Sequence, residues 1–283
     1  MHNPGRLPAP IPTVAPGPRA AGCGRIRVGG MKVIKVVGIG AGDPEQLTVQ
    51  AVNTLNQVDV FFVLDKGEVK QELVDLREEI LQRFVGGSDY RVVVGRDPER
   101  DRSSAEYVES VDDWRRRRAD VCAGLIGTEL GENQVGAFLV WGDPSLYDST
   151  LAILEDILDR GELAFEIDVI PGISSVSALA ARHRIGLNQV GRPIQITTGR
   201  RLAKGWPDDV DDVVVMLDAQ TAFTEHVDTD ADIYWGAYLG TPDELLVSGK
   251  LSEVAAEITA TRAEARQRKG WIMDTYLLRR HHR

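Results

Sequence analysis

A run of β-branched residues gives way to alternating glycines in the stretch VVGIGAGDPEQLT, which spans Val36 to Thr48. Gly38, Gly40 and Gly42 occupy every second position after the predicted strand. Because glycine has no side chain, it adopts unusual backbone angles and lets a ligand or another segment approach the backbone closely. The stretch therefore predicts a strand that ends in a loop suited to close approach, and the ligand is either a dinucleotide or a molecule of another kind.

The dinucleotide alternative fails at one position of its sequence pattern. A dinucleotide loop requires G-x-G-x-x-G, so that the following helix holds a pyrophosphate at its N-terminus. Here Asp43 occupies the third glycine position, where its negative charge would compete with phosphates, and Pro44 removes an amide donor. Asp65, at the end of the second predicted strand, could still bind a ribose. An NAD(P)-binding oxidoreductase therefore stays open as the alternative, although this stretch alone is best explained as a plain strand-to-helix turn.

The composition of the chain is that of a globular protein. It has 283 residues, of which 43% are hydrophobic and 27% charged, and this suits one or two domains. The formal net charge of −10 argues against binding to nucleic acid or to a membrane surface through bulk positive charge, so an anionic ligand must meet locally clustered arginines. Cys23 and Cys122 lack partners at metal-ligand spacing. We therefore expect a cytoplasmic protein with neither a zinc site nor a disulfide framework.

The order of the predicted elements divides the chain into three parts. Residues 1–30 are rich in Pro, Gly and Ala without periodicity, so we expect a disordered leader and a functional start at Met31. Residues 31–166 alternate β-branched runs with helical segments, which predicts an α/β domain with a mostly parallel sheet. Residues 167–283 contain more strand-like runs and less helix, which predicts a second α/β domain with a mixed sheet.

Two later stretches repeat the arrangement of a strand, a tight turn and a helix. VWGDPSLYDST (Val140–Thr150) places Gly-Asp-Pro at the turn, and VIPGISSVSALAARHR (Val169–Arg184) places Pro-Gly before a helix rich in serine and alanine. Each stretch by itself is explained by ordinary helix capping or by close helix packing. Together with the first loop, the two stretches form an ordered set.

In this order the three turns resemble the motifs of the tetrapyrrole (uroporphyrinogen/precorrin) methyltransferase family, over about residues 31–280. Further stretches are similar to the members that methylate carbon 1 of precorrin-5 and release acetate: VDDWRRRRADV, TTGRRL, VVVMLD, YWGAYLGTPDE and RKGWIMDTYLLRR. The resemblance implies a homodimer of two-domain subunits, with S-adenosylmethionine in the cleft between the domains, on the aerobic route to cobalamin. The remaining alternatives are a member that methylates another ring carbon and a non-catalytic tetrapyrrole carrier.

The resemblance also assigns the cofactor contacts of the family to nine positions of this chain. These are Ala41, Gly142, Asp143, Leu146, Ser174, Ser175, Met216, Ala237 and Leu239. Ala41 departs from the usual proline of the family, so it keeps a backbone role with a less defined contact. Leu146 and Met216 would flank the adenine, and the stretch that contains Ala237 and Leu239 would supply main-chain contacts.

Arg200 and Arg201 are the candidates for binding the substrate carboxylates. They follow TTG at the end of a predicted strand, and guanidinium groups pair with carboxylates in a bidentate way. The longer run Arg115–Arg118 is better explained as a solvated helix, in which Asp112 and Asp113 pair with arginines four residues later.

The sequence does not single out a catalytic residue for the release of acetate. This step needs water to attack an acyl carbon, which a general base and an oxyanion donor would assist. The chain has no Ser-His-Asp order, no G-x-S-x-G motif and no metal-binding cluster, so we expect no metal. His183, Asp65, Tyr147 and Asp148 remain candidates, although a lone histidine at a helix end is more often a packed or capping residue.

Overall fold

The computed structural model describes residues 30–65, 71–87, 89–98 and 107–281. The predicted leader, apart from its last residue, lies outside this range. Within the described residues, ten strands form two five-stranded sheets, and seven α-helices connect or flank these strands. None of the described helices is both long and apolar enough to cross a bilayer.

The first sheet is parallel throughout and has the strand order β3-β2-β4-β1-β5. Its strands are β1 (Lys32–Gly38), β2 (Val60–Asp65), β3 (Arg91–Arg96), β4 (Val135–Val140) and β5 (Phe165–Ile170). The helices on its faces are α1 (Val49–Leu55), α2 (Gln71–Phe84), α3 (Tyr107–Glu129) and α4 (Thr150–Asp159). Ile34 and Val36 pack with α3 and α4, whereas Val37 packs with α1 and α2. Burial on both faces explains the continuous apolar runs that predicted a parallel sheet.

The second sheet is mixed, as predicted, with the order β6-β7-β10-β8-β9. Its strands are β6 (Ile194–Thr198), β7 (Asp212–Met216), β8 (Ala231–Ala237), β9 (Leu245–Lys250) and β10 (Asp274–Arg280). Only the β6–β7 pair is parallel among the described strand pairs of this sheet. The helices are α5 (Ser175–His183), α6 (Gly199–Leu202) and α7 (Leu251–Lys269). Val214 faces α5, while its neighbours Val213 and Val215 face α7, so this sheet is also covered on both faces.

The division between the two domains concerns strand β5. This strand pairs with β1 as far as Ile170, so a division after residue 166 would pass through it. Helix α5, which follows, packs on β8, β9 and β10 of the second sheet. We propose that the first domain ends after Ile170.

The carboxyl ends of β1 and β4 lie side by side where the connections of the first sheet reverse direction. From β1 the chain passes beyond β4 to reach β2, and from β4 it passes beyond β1 to reach β5. Open α/β sheets bind their ligands in the crevice at such a point. The first glycine loop and the G-D-P turn therefore leave the sheet at the edge where a ligand is expected.

Candidate active site

Three turns at this edge pack against one another through glycine backbone. Gly40 and Gly142 form a short antiparallel bridge, in which the Gly142 amide donates to the Gly40 carbonyl at 2.8 Å. A Cβ atom on Gly38 would lie 2.6 Å from the Gly172 amide nitrogen, and one on Gly172 would overlap the Gly142 carbonyl oxygen. These positions require glycine because backbone meets backbone.

The first loop differs from a dinucleotide loop in how it enters its helix. Asp43 accepts a hydrogen bond from the Glu45 amide at 2.8 Å and caps a short 3-10 turn, Pro44–Gln46. Helix α1 begins only at Val49, with the Thr48 side chain as its N-cap. The Glu45 and Ala51 amides at the two helix starts are thus bonded to side chains of the protein, and this disfavours the NAD(P)-binding alternative.

Segments of the second sheet close over these turns. A Cβ atom on Gly42 would lie 2.5 Å from the Leu239 carbonyl oxygen, and one on Gly240 would lie 2.9 Å from backbone of the first loop. Tyr147, just after the G-D-P turn, places its hydroxyl 3.5 Å from the Ile196 carbonyl oxygen in β6. Loops from the two sheets therefore meet in one place.

Apolar side chains from these loops form one hydrophobic cluster with α5. The members at predicted cofactor positions are Ala41, Leu146, Met216 and Leu239. They pack with Val176 and Leu179 of α5. We call the place where these loops meet the inter-sheet site. It comprises the loops at residues 38–43, 141–147, 171–175, 216–218 and 237–241.

Three bulky residues of the inter-sheet site have left-handed backbone angles. Tyr147, Leu217 and Tyr238 have φ values of 51°, 54° and 49°. Each directly follows one of the predicted cofactor contacts. Large side chains rarely adopt positive φ, and the resulting strain, about 1–3 kcal/mol per residue, concentrates at functional sites. The strain therefore supports the inter-sheet site as the functional site of this chain.

Asp143 joins the G-D-P turn to the Pro-Gly turn. Its carboxylate accepts hydrogen bonds from the Ser145 amide at 2.8 Å and from the Gly172 amide at 2.9 Å. Burial raises the pKa of Asp143, but the Ser145 hydroxyl and the two amides lower it more, so the pKa lies below its ordinary value. The carboxylate thus stays ionised at neutral pH and holds the two turns together.

Asp143→Asn should lower the free energy of unfolding by about 1–2 kcal/mol near neutral pH, because an amide group offers one acceptor where two amides donate. The lowered pKa means that the carboxylate stabilises the fold above its ordinary pKa and loses this effect as the pH falls through the lowered value. Denaturant titrations should therefore show the difference from wild type shrinking in acid. Asp112→Asn, exposed on α3, is the control. Equal stability of wild type and Asp143→Asn at neutral pH would contradict this role.

Ser174 and Ser175 stand where the Pro-Gly turn enters α5. The Ser174 hydroxyl accepts from the Ser177 amide at 3.2 Å as the N-cap. The Ser175 hydroxyl lies 3.3 Å from that of Thr275 in β10. Both hydroxyls therefore have partners within the protein. The methyl group of Ala237 packs in the core on the α7 side of the second sheet, so a ligand contact from Ala237 would use its main chain.

Gln46 belongs to the site although no motif singles it out. Its Oε1 accepts a hydrogen bond from the Ala41 amide at 2.7 Å. Its Cβ lies 2.7 Å from the position that a Cβ on Gly40 would occupy. The Ala41 amide is thus bonded within the protein, so a ligand contact from the main chain of Ala41 would use its carbonyl.

Arg200 and Arg201 lie in α6, directly after β6, and both side chains are exposed. Strand β6 pairs with β7 so that Thr198 lies opposite Met216. The two arginines therefore start beside the loop that carries a predicted cofactor contact.

The arginine run on α3 is only partly a solvated helix face. Asp113 pairs with both Arg116 and Arg117, at 3.0 and 2.9 Å. Arg118 turns inward instead and contacts Asp97 at 3.0 Å. The prediction that the whole run is solvated was wrong for Arg118, because four consecutive helical residues point around the helix and one of them faces the core.

Among the candidates for acetate release, Tyr147 lies in the inter-sheet site. His183 lies at the far end of α5, with Nε2 3.0 Å from the Trp235 carbonyl oxygen and its ring against Tyr234. Asp148 lies just before α4, and its carboxylate accepts a hydrogen bond from the Thr150 amide at 2.7 Å. The Tyr147 side chain is 47% exposed. In the part of the chain that the structure describes, no group of three or more His, Cys, Asp or Glu residues is arranged for a metal.

Comparison with known proteins gives a family match over most of the chain. The family model described as Tetrapyrrole (Corrin/Porphyrin) Methylases matches residues 33–255. This span includes every loop of the inter-sheet site.

Individual relatives extend the match to nearly full length. A precorrin-6A synthase (deacetylating) from a Sinorhizobium species is 52% identical over 251 residues, which are 89% of this chain and 96% of the relative. The crystal structure of a cobalamin synthesis related protein from Corynebacterium diphtheriae has a TM-score of 0.76 at 38% identity, covering 88% of this chain and 99% of that one. A uroporphyrin-III C-methyltransferase from Thermus thermophilus, solved with S-adenosylhomocysteine, shares the fold, with a TM-score of 0.51 at 18% identity, over 87% of this chain and 91% of its own.

Proposed function

This chain belongs to the tetrapyrrole methylase family, and we propose that it methylates carbon 1 of precorrin-5 and releases the extruded two-carbon fragment as acetate. S-adenosylmethionine is the methyl donor, and the product, precorrin-6A, lies on the aerobic route to cobalamin. The 52% identity to a precorrin-6A synthase over almost the whole of both chains supports this substrate against other precorrins. One structural observation carries the proposal. In the inter-sheet site, residues with left-handed backbone angles and glycines in close backbone contact lie together with the residues predicted to contact the cofactor.

The residues of the inter-sheet site fit an adenosyl group attached to a positively charged sulfur. Turns made of glycine present backbone instead of side chains, and Leu146 and Met216 offer apolar contacts suited to an adenine ring. The ionised carboxylate of Asp143 favours a nearby positive charge. When bound, S-adenosylmethionine supplies a methyl group from its sulfonium. The proposed cofactor site consists of Ala41, Gly142, Asp143, Leu146, Ser174, Ser175, Met216, Ala237 and Leu239.

The chain contributes to methyl transfer mainly by positioning. The accepting carbon of a reduced tetrapyrrole is electron-rich and is already a nucleophile, so it needs alignment more than activation. Alignment of two reactants contributes roughly 7–11 kcal/mol in model systems. Loops that are locked by backbone packing and by the Asp143 hydrogen bonds are suited to this task. Arg200 and Arg201 hold the substrate by its carboxylates from the adjoining helix α6.

Release of acetate needs a different contribution from the protein. A water oxygen bonds to the acetyl carbon, the bond from that carbon to the macrocycle breaks, and its electron pair returns to the macrocycle. Both protons of the water pass to solvent, so the fragment leaves as acetate. Negative charge develops on the acetyl oxygen, where a hydrogen-bond donor lowers the barrier. Tyr147 is suited to this role because it is half exposed between the two sheets. Burial raises the pKa of Tyr147, so its hydroxyl remains a proton donor at neutral pH.

Tyr147→Phe should reduce the rate of acetate release by about a hundredfold, since removal of one oxyanion donor typically costs a factor of 10² to 10³. The affinity for S-adenosylhomocysteine should change less than about twofold, because the aromatic ring and the backbone stay in place. The rate of acetate release is measured in reactions with precorrin-5 that are quenched at set times. The affinity for S-adenosylhomocysteine is measured by calorimetry. Tyr90→Phe, in the first sheet domain, is the matched control. Acetate release at the wild-type rate would remove Tyr147 from the mechanism.

We further propose that the enzyme is a cytoplasmic homodimer, as the family resemblance implies. One chain has a mass of 31.1 kDa, and light scattering of the purified protein should give twice this value. A single-chain mass at micromolar concentration would refute the dimer.

Titration calorimetry of the full chain with S-adenosylhomocysteine and, separately, with NADP tests the cofactor class. We expect saturable binding of S-adenosylhomocysteine alone. Binding of NADP alone would show that the first loop is a dinucleotide loop and would overturn the proposed function.

A further inference from the structure

The loop at residues 216–218 ends in a residue with a buried carboxylate. Asp218 is 4% exposed, and its carboxylate accepts three hydrogen bonds. The donors are the Gln220 amide at 2.9 Å, the Ala222 amide at 2.7 Å and the Tyr276 hydroxyl at 2.7 Å. Buried carboxylates are retained at this depth only when donors surround them, so the turn after β7 is fixed to strand β10 at this residue.

The network continues from Asp218 into helix α7. The Arg262 side chain donates to the Asp218 carbonyl at 2.5 Å and to the Asp274 carboxylate at 2.8 Å. The Trp235 indole donates to the same Asp274 carboxylate at 3.0 Å. Burial raises the pKa of Tyr276, and the neighbouring Asp218 charge raises it further, so its hydroxyl stays a donor at every physiological pH. Strands β8 and β10 and helix α7 thus converge on the loop.

Asp218 is adjacent to both the proposed cofactor site and the proposed substrate site. It follows Met216, a proposed cofactor contact, and Leu217, which is left-handed and 64% exposed. On its other side it packs against Gly199, where an added Cβ would overlap the Asp218 carboxyl carbon. Gly199 is the first residue of α6, the helix that carries the proposed substrate arginines. One buried side chain therefore supports the cofactor loop and the start of the substrate helix.

We propose that Asp218 and Tyr276 are positioning residues that hold the Met216–Leu217 backbone against the cofactor and the start of α6 against the substrate. The inference rests on the proposed function and adds to it a shared support for the two binding sites. Leu217 stays left-handed because the following residue is anchored by three donors, since strained backbone persists only where its surroundings fix it. Because Gly199 leaves no space beside Asp218, a shift of the carboxylate moves both the loop and the helix.

Tyr276→Phe tests the inference with a minimal change. It removes one donor and leaves the ring in the core, where it packs edge-on against Phe223. We expect the Kd for S-adenosylhomocysteine and the KM for precorrin-5 each to rise about five- to tenfold, while kcat changes less than about threefold, because positioning of bound partners is weakened in both sites at once. Asp218→Asn should act in the same direction with a larger effect, since it replaces one carboxylate acceptor with an NH2 donor that faces the hydrogen-bond donors around it.

Two control variants separate positioning from loss of stability. Tyr90→Phe removes a hydroxyl from the first domain, just before β3, and should leave the Kd and KM unchanged. Ile258→Val removes a methylene from the core under α7, so it lowers stability without touching the network. If Ile258→Val raised the Kd and KM as much as Tyr276→Phe does, the effect would be a general consequence of instability and the inference would be wrong.

The outcomes also distinguish this inference from the proposed function. A wild-type protein that binds S-adenosylhomocysteine, together with a Tyr276→Phe variant that has wild-type Kd and KM, would overturn only the positioning role. A wild-type protein that does not bind S-adenosylhomocysteine would overturn the proposed function itself.

Discussion

Gly172→Ala is expected to weaken S-adenosylhomocysteine binding by about a hundredfold or more. An added methyl group would overlap the Gly142 carbonyl oxygen and the Gly38 backbone, and neither can move aside as a flexible side chain would. The G-D-P and Pro-Gly turns would have to separate by about an ångström. A displacement of this size can cost a factor of about 10² in rate, and we expect a similar loss of affinity because the same turns form the proposed cofactor site. The variant should also lose about 1–3 kcal/mol of stability through overpacking.

Gly124→Ala is the matched control for this prediction. Gly124 lies within α3, and an added Cβ there would meet nothing within 4 Å. The replacement should therefore leave cofactor affinity unchanged and raise stability by up to about 1 kcal/mol, as alanine favours helix. Asp143→Asn weakens the hydrogen bonds between the same turns without adding a steric clash. It should therefore weaken S-adenosylhomocysteine binding by about tenfold, and it provides a test even if Gly172→Ala does not fold. Wild-type affinity in a folded Gly172→Ala protein would show that the interlocked turns do not form the cofactor site.

The double replacement of Arg200 and Arg201 by alanine is expected to raise the KM for precorrin-5 by at least about a hundredfold. Each charge-assisted hydrogen bond to a carboxylate contributes about 1.5–3 kcal/mol, and the loss of two amounts to two or more powers of ten. Cofactor affinity should stay at the wild-type value because α6 begins beside the cofactor loop without forming it.

Arg116 and Arg117 provide the control for the arginine prediction. They are also consecutive and exposed, and they lie on α3, where both pair with Asp113. Their replacement by alanine should leave the KM for precorrin-5 unchanged. If the Arg200 and Arg201 double variant also kept its KM, the substrate carboxylates would have to bind elsewhere.

The fold could be predicted from the sequence because its main signals are local. Continuous β-branched runs such as the one ending at Val37 indicate strands that are buried on both faces, and burial in two separate clusters confirms this. Turn chemistry is equally local, as the capping role of Thr48 shows. Strand β5 was harder to assign, since only its two end residues are buried and its burial does not alternate. Its pairing with β1 places it in the first sheet.

The hydrogen bonds that organise the site could not be predicted in the same way. Tyr276 and Asp218 are 58 positions apart in sequence, and no periodicity connects them. The bond from the Ala41 amide to Gln46 depends on a turn conformation that composition does not specify. Arg118 was expected to be solvated like its neighbours. Its inward position depends on Asp97, which follows β3 and is distant in sequence. Long-range partners of polar side chains are set by topology, which local patterns do not encode.

Incubation of the full chain with precorrin-5 and S-adenosylmethionine carrying a ¹³C-labelled methyl group tests the central claim most directly. We predict one labelled methyl group at carbon 1 of the product, located by nuclear magnetic resonance, and one acetate released for each methyl group transferred. A label on another ring carbon, or methylation without acetate, would contradict the assignment of this chain as the deacetylating methyltransferase.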